Sequence, residues 1–220
     1  MILYTVTGLP GNEGYCDISN SGDLTGKNIY VNMTNKCPCN CVFCLRHTKK
    51  LLETSTLWLK EGEPRVDDVL GLFDKYDLSG VKEIVFCGYG EPLERLYDVC
   101  AVIDGLKKKY PSLKFRLNTI GLANLIYGKD ITPELEGRFD TVSISLNAPN
   151  AEEFLELTRS KFGIGSYEAL KEFAVLAKRY VPDVVMTVVE KVMPEEKIAI
   201  CQGICDELGV RLRVREFEDN

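Results

Sequence analysis

Asn28-Ile29-Tyr30-Val31-Asn32-Met33-Thr34-Asn35-Lys36-Cys37-Pro38-Cys39-Asn40-Cys41-Val42-Phe43-Cys44 is the stretch on which the reading of this chain turns. Its first six residues alternate apolar and polar side chains, the period-two pattern of a short strand. Four cysteines then fall within eight residues, Cys37 to Cys44. A strand that runs straight into a cysteine-rich loop puts ligand chemistry at a strand's carboxyl end. In parallel α/β sheets and barrels that end carries the active site.

Outward from this stretch, strands and helices alternate. Val66 to Tyr76 has a helical apolar face of Val66, Val69, Leu70, Phe73 and Tyr76. Glu83–Phe86 reads as a buried strand ending at Gly88. Leu93 to Tyr110 is a helix stopped by Pro111. Lys114–Leu117 is a strand ending in Asn118-Thr119, and Asp140–Leu146 is another. Asn150 caps a helix over Ala151 to Leu157, with Glu153 three residues on. Ser166 is expected to cap a helix bearing Leu170, Phe173, Ala174 and Ala177. Asp183–Val189 is a strand, Pro194 to Leu208 a helix closed by Gly209, and Arg211–Arg215 the last strand. About six such alternations imply right-handed βαβ units and a parallel sheet. The predicted fold is α/β: an open partial (β/α)6 barrel over residues 28–220, a single core domain. Residues 1–27 are predicted to form an N-terminal strand and a flap. Within them 8–27, rich in Gly, Asn, Ser and Asp, read as a solvated connector, with a lid over the barrel as the second reading.

The composition bounds the function. The 220 residues are 45% hydrophobic and 27% charged, which excludes disorder and low complexity. With 27 basic and 33 acidic residues the net charge is −6, so a large nucleic-acid footprint is not expected. No apolar run reaches the roughly 18 residues of a membrane span. The start MILYTVTGLP has neither a basic segment nor a long apolar core. Nine cysteines, an odd number, then imply a reducing, cytoplasmic setting and metal or redox chemistry.

Cys37, Cys41 and Cys44 have the spacing C-x3-C-x2-C, while Cys39 falls outside it and reads as an extra thiol. Three thiolates on one loop match three corners of a cubane cluster and leave the fourth iron open to a ligand. A tetrahedral zinc site is the competing reading and needs a fourth ligand. The only histidine, His47, lies too close in sequence to complete a zinc ribbon. Cys201 and Cys205 lie on an apolar helical stripe with Ile198 and Leu208 and read as core, as do Cys87 and Cys100. Trp58 is expected to pack. The end of the second core strand reads Cys87-Gly88-Tyr89-Gly90-Glu91-Pro92, in which glycines allow close backbone approach and Glu91 can accept from a cation. Further along, Asn118-Thr119, Ser143, Ser145, Asn147 and Thr187 put polar groups at strand ends.

Together these motifs resemble the radical S-adenosylmethionine (radical SAM) superfamily. The cysteine triad, with the aromatic Phe43 before its last member, matches that family's cluster motif, and Gly90-Glu91-Pro92 matches part of its GGEP motif. The resemblance implies a [4Fe–4S] cluster on Cys37, Cys41 and Cys44, with SAM on the fourth iron. It implies SAM contacts from Phe43, Gly88, Gly90, Glu91, Pro92, Asn118, Ser145 and Asn147. An external electron donor such as flavodoxin or ferredoxin goes with it. The stretches NIYVNMTNKCPCNCVFCLR, VFCGYGEPLERL, RLNTIGLANLIYGKDITPEL, VSISLNAPNAEEFLEL and LGVRLRVREF are similar to the TatD-associated radical SAM subfamily. Some of its members look like queuine lyases, which cut the cyclopentenediol from queuine to leave a 7-deazaguanine. That resemblance implies a small nucleobase-like substrate, with Tyr15, Tyr30, Arg159, Glu190 and Glu216 as candidate contacts. The alternatives are an activating enzyme acting on a partner protein, another small-molecule radical SAM enzyme, and a non-catalytic iron–sulfur or zinc protein.

Overall fold

The computed structural model describes residues 1–9, 12–44, 46, 57–190 and 193–215. Six strands carry the predicted alternation: β3 (Asn28–Val31), β4 (Glu83–Phe86), β5 (Phe115–Thr119), β6 (Thr141–Ser145), β7 (Asp183–Val189) and β8 (Arg211–Arg215). They lie in one sheet in that order, each parallel to the next. Helices α1 (Val66–Phe73), α2 (Leu96–Lys109), α3 (Ala123–Tyr127), α4 (Ala151–Thr158), α5 (Ser166–Ala177) and α6 (Glu195–Leu208) lie between the strands. The sheet is open among the described residues, so the fold is the partial TIM-like α/β architecture that the pattern predicts. Among those residues no helix is long and apolar enough to cross a membrane.

The N-terminal segment contains the predicted strand, but residues 8–27 differ from the expected connector. β1 (Leu3–Leu9) and β2 (Asn12–Asp17) form an antiparallel hairpin, and β1 pairs with β3, extending the sheet to eight strands. Gly8 and Gly14 lie within these strands, and their low strand propensity hid the hairpin in the sequence. Tyr4 stacks on Tyr30 at 5.2 Å between ring centroids and meets Tyr15 edge-on at 5.6 Å, so a small aromatic core ties the hairpin down. The structure also corrects the cap of α5. Gly165 precedes the helix, and the Ser166 hydroxyl is buried against Ser160 Oγ at 2.7 Å rather than turned to the helix amides. Trp58, expected to pack, is 42% exposed.

Each parallel strand has two distinct faces. Ile84, Phe86, Phe115, Leu117, Val142, Ile144 and Met186 are fully buried in the main core with the helices. Alternate residues therefore look into the barrel, and most are polar: Glu83, Arg116, Asn118, Ser143, Ser145, Thr187 and Arg213. Deep in the barrel Arg116 Nε lies 3.1 Å from Glu83 Oε2, both side chains largely buried. Burial raises the Glu83 carboxyl above its ordinary range, and Arg116 opposes the shift. A sheet that faces polar residues inward offers hydrogen-bonding groups to the barrel interior.

The caps fix where strand ends emerge. Asn150 accepts from the Glu153 amide at 2.9 Å, and its Nδ2 reaches Glu153 Oε1 at 3.0 Å, the reciprocal cap that the sequence predicts. α6 stops at Gly209, whose φ of +63° suits a residue without Cβ. Cys201 and Cys205 are core as expected, with Cys201 Sγ 3.7 Å from Met193 Sδ.

Candidate functional site

The cysteine loop is held from two sides. On one side it leans on β4 and the segment after it. Cys87 N donates to Val31 O at 3.1 Å, and Glu91 N to Lys36 O at 2.8 Å. On the other side it is stitched to the end of α4. Asn40 N donates to Thr158 O, Val42 N to Leu157 O and Lys161 N to Pro38 O, each at 2.9 Å. The Arg46 guanidinium spans the loop to the carbonyls of Asn35 and Cys39. Arg95 donates to the carbonyls of Met33 at 3.0 Å and Pro64 at 2.6 Å and pairs with Asp98 at 2.7 Å.

This scaffold turns Cys37, Cys41, Cys44 and Phe43 into a cavity of about 260 Å³ at the carboxyl ends of the strands. All nine cysteines are free thiols. Cys39 faces the core at 5% exposure. Its thiol is shared with Cys37 and Cys41; those hydrogen bonds push it far above the ordinary range and lower Cys41, on which Arg46 acts in the same direction. Among the described residues no three His, Cys, Asp or Glu side chains gather closely enough to hold a single metal ion.

The glycines of the β4 end are required by close approach. A Cβ at Gly88 would stand 2.6 Å from Asn32 Cγ, and one at Gly90 would stand 2.6 Å from Lys36 O. Glu91 follows, 4% exposed. Oε1 accepts from Thr119 Oγ1 at 2.7 Å and Leu93 N at 3.1 Å, and Oε2 from Ile120 N at 2.8 Å. Burial raises this carboxyl to about 7 against the pull of those three hydrogen bonds. Glu91 therefore ties the end of β4 to that of β5. A carboxylate has about four acceptor sites, so one remains for a ligand. Pro92 starts the turn behind it and does not line the cavity.

Asn118, Ser143, Ser145, Asn147 and Thr187 line the opposite wall. The Oδ1 atoms of Asn118 and Asn147 are buried and accept no hydrogen bond among the described residues. Asn147 also has a φ of +59°, a left-handed conformation that asparagine tolerates and that occurs often at ligand sites. The cavity therefore brings together every predicted cluster and SAM residue except Pro92. The predicted substrate contacts fare differently. Tyr15 and Tyr30 pack on Tyr4, Arg159 is an exposed residue after α4, and Glu190 follows β7; none of them lines the cavity. Glu216 lies outside the described residues.

Nine lining residues lay outside the predicted set, and three of them bear reactive or charged groups. Cys87, expected in the core, faces the cavity, hydrogen-bonded to Asn118; burial raises its thiol. Arg213 and Arg215 project from β8 into the same space. Their signal was present in Arg211-Leu212-Arg213-Val214-Arg215: a charge at every second position of a strand whose neighbours already alternate polar-inward.

Comparison with known proteins agrees with the fold. SuiB of Streptococcus suis bound to the precursor peptide SuiA superposes with a TM-score of 0.61 at 15% identity, over 88% of this chain and 40% of that one. Native anSMEcpe with bound AdoMet gives 0.64 at 21% identity, over 86% and 51%. A radical SAM methyltransferase from Sphaerobacter thermophilus gives 0.55 at 16% identity, over 87% and 66%. At these identities the likeness speaks for the fold, and this chain spans roughly two-fifths to two-thirds of the lengths of those proteins. No curated protein sequence matches. Residues 31–200 match the radical SAM superfamily, most of the chain and both cavity motifs included, and the chain belongs to that superfamily.

Proposed function

We propose that Cys37, Cys41 and Cys44 hold the [4Fe–4S] cluster of a radical SAM enzyme that acts on a small, nucleobase-like molecule inside the barrel. Enzymes of this superfamily use that cluster together with SAM. The observation that carries the reading is the convergence of three free thiols, the Gly88–Glu91 strand end and two orphaned amide oxygens on one cavity. The donor set suits both groups: thiols for iron, and buried acceptors for the amino and hydroxyl donors of SAM. Bound together, cluster and SAM supply a carbon-centred radical that abstracts a hydrogen atom from substrate. The chain's own contribution is to hold and enclose. Glu91 and the backbone of Gly88 and Gly90 would hold the SAM amino group, and Asn118, Ser145 and Asn147 would hold its ribose and carboxylate. Phe43 shields the cluster. The barrel wall keeps water from the radical.

Queuine is the first substrate to test, and a lyase reaction the outcome to look for. Its support is the sequence resemblance to the TatD-associated group. An enzyme acting on a peptide is the second reading, supported by a structural neighbour bound to a precursor peptide. Nine free cysteines favour work in a reducing, cytoplasmic compartment. The test is anaerobic: reconstitute the cluster, add SAM and dithionite, and follow 5′-deoxyadenosine with and without queuine. Stimulated formation with a 7-deazaguanine product supports the lyase. Basal cleavage alone retains the family chemistry and removes queuine. No cleavage by cluster-loaded protein overturns the catalytic reading.

A further inference from the structure

The charge of the cavity wall is unbalanced. Arg213 and Arg215 sit two residues apart on one face of β8, about 7 Å apart along the strand, and both line the cavity. Arg213 Nε is buried and has no hydrogen-bond partner among the described residues. Neither guanidinium has a carboxylate partner there. Glu83, the nearest acid below, is taken by Arg116. Glu91, the acid in the wall, is committed to Thr119, Leu93 and Ile120. Burial, first, and the charges of Arg116 and Arg215 lower Arg213 below its ordinary value, with Tyr30 and Glu83 opposing the shift only in part.

The register adds donors beside the arginines. Ser145 pairs with Thr187, and Thr187 with Arg213. One row across β6, β7 and β8 thus sets a guanidinium beside the Ser145 hydroxyl of the proposed SAM site and the Thr187 hydroxyl, which donates to Ile144 O at 3.5 Å, with the second guanidinium at the rim. The two guanidiniums supply the forks of planar donors that match an oxyanion. The proposed SAM contacts lie on β4, β5 and β6, which leaves β8 to the substrate.

We propose that Arg213 and Arg215 form an oxyanion-binding arm of the cavity, and that the substrate carries a carboxylate or phosphate group that docks on it. The inference rests on the small-molecule reading above and sharpens it. Within that reading an acidic 7-deazaguanine suits the arm better than queuine, whose ammonium would have to turn away from β8.

Two measurements on cluster-loaded protein test the arm. The first labels arginines with phenylglyoxal and reads positions 213 and 215 by peptide mass spectrometry, with exposed Arg179 as the internal control. The expected result is that inorganic phosphate slows labelling at 213 and 215 but not at 179. The second compares, in the presence of SAM, the binding of two 7-deazaguanines that carry a carboxylate or an aminomethyl group at C7. The carboxylate should bind about ten-fold to a hundred-fold more tightly, the scale of a charge-assisted hydrogen bond, and Arg213→Gln should erase the preference. Cluster absorbance reports that this variant is folded. Equal or tighter binding of the amine overturns the arm and leaves the small-molecule reading standing. Protection by SAM alone, with none added by phosphate, also overturns it, because the arginines then serve the SAM carboxylate. Protection by phosphate with binding of neither base keeps the arm and removes the nucleobase.

Discussion

Replacing Gly90 by alanine tests how the cluster loop is positioned. The added Cβ would lie 2.6 Å from Lys36 O and 2.8 Å from the carbonyl carbon of Thr34. An ordinary carbon–oxygen contact begins near 3.3 Å and Thr34 O stands nearer than Lys36 O, so the two segments must separate by at least about 0.7 Å. Both clashing groups are backbone, so no side chain can swing aside. The separation stretches the hydrogen bond from Glu91 N to Lys36 O, 2.8 Å in the native chain, and shifts Cys37, which follows Lys36 directly. Overpacking costs about 1–3 kcal/mol and a weakened hydrogen bond about 1, so we expect about 2–4 kcal/mol of destabilisation. Urea unfolding measures it, and iron content after anaerobic reconstitution reads the displaced thiol. Gly203→Ala is the control. It lies within α6, its Cβ would meet nothing within 4 Å, and it should stabilise by up to about 1 kcal/mol. A Gly90→Ala protein with an unchanged midpoint and full iron content would refute the claim that this backbone contact sets the loop.

Cys37→Ala, Cys41→Ala and Cys44→Ala should each abolish iron–sulfur absorbance. Cys39→Ala should keep it, because that thiol faces the core; loss of iron there would reassign the ligands. Glu91 carries a pH signature. Its folded value of about 7 lies above the ordinary 4.5, so its burial costs nothing below 4.5, and stability is lost as pH rises through about 7. The loss is about 3 kcal/mol, read as the difference between wild type and Glu91→Gln in unfolding experiments below and above that window; parallel pH profiles would contradict the assignment. Arg95→Ala strips two carbonyls and Asp98 of one buried partner and should cost about 2–4 kcal/mol by denaturant titration. Arg65→Ala, whose pair with Asp68 stands in solvent, should change little.

Much of the core was legible because two periods coexist in the chain. Glu83–Phe86, Thr141–Ser145 and Asp183–Val189 announce strands by length and β-branched content, and the helices between them by apolar faces and caps such as Asn150. The cysteine triad and Gly90-Glu91-Pro92 were legible because their chemistry depends on local spacing. The β1–β2 hairpin was not, since an antiparallel pair with a short turn rests on partners that local composition does not reveal. Short α3 and the Thr132–Leu135 turn were missed for want of a full apolar face. Arg213, Arg215 and Cys87 escaped because a side chain's role here depends on which face of the sheet it takes. That face follows from register with neighbouring strands, not from the residue itself.

The stitching of the cysteine loop to α4 bears on how the protein matures. Asn40, Val42 and Lys161 bond to backbone partners within the chain, so the loop that carries the proposed ligands has anchors that do not depend on a ligand. A loop that had to order itself around its cargo would forfeit roughly 1–2 kcal/mol of backbone entropy for each residue fixed at the moment of loading. Here the bonds to α4 meet part of that cost when the chain folds, so the proposed cradle is expected to hold its shape through repeated loading and loss of a cluster.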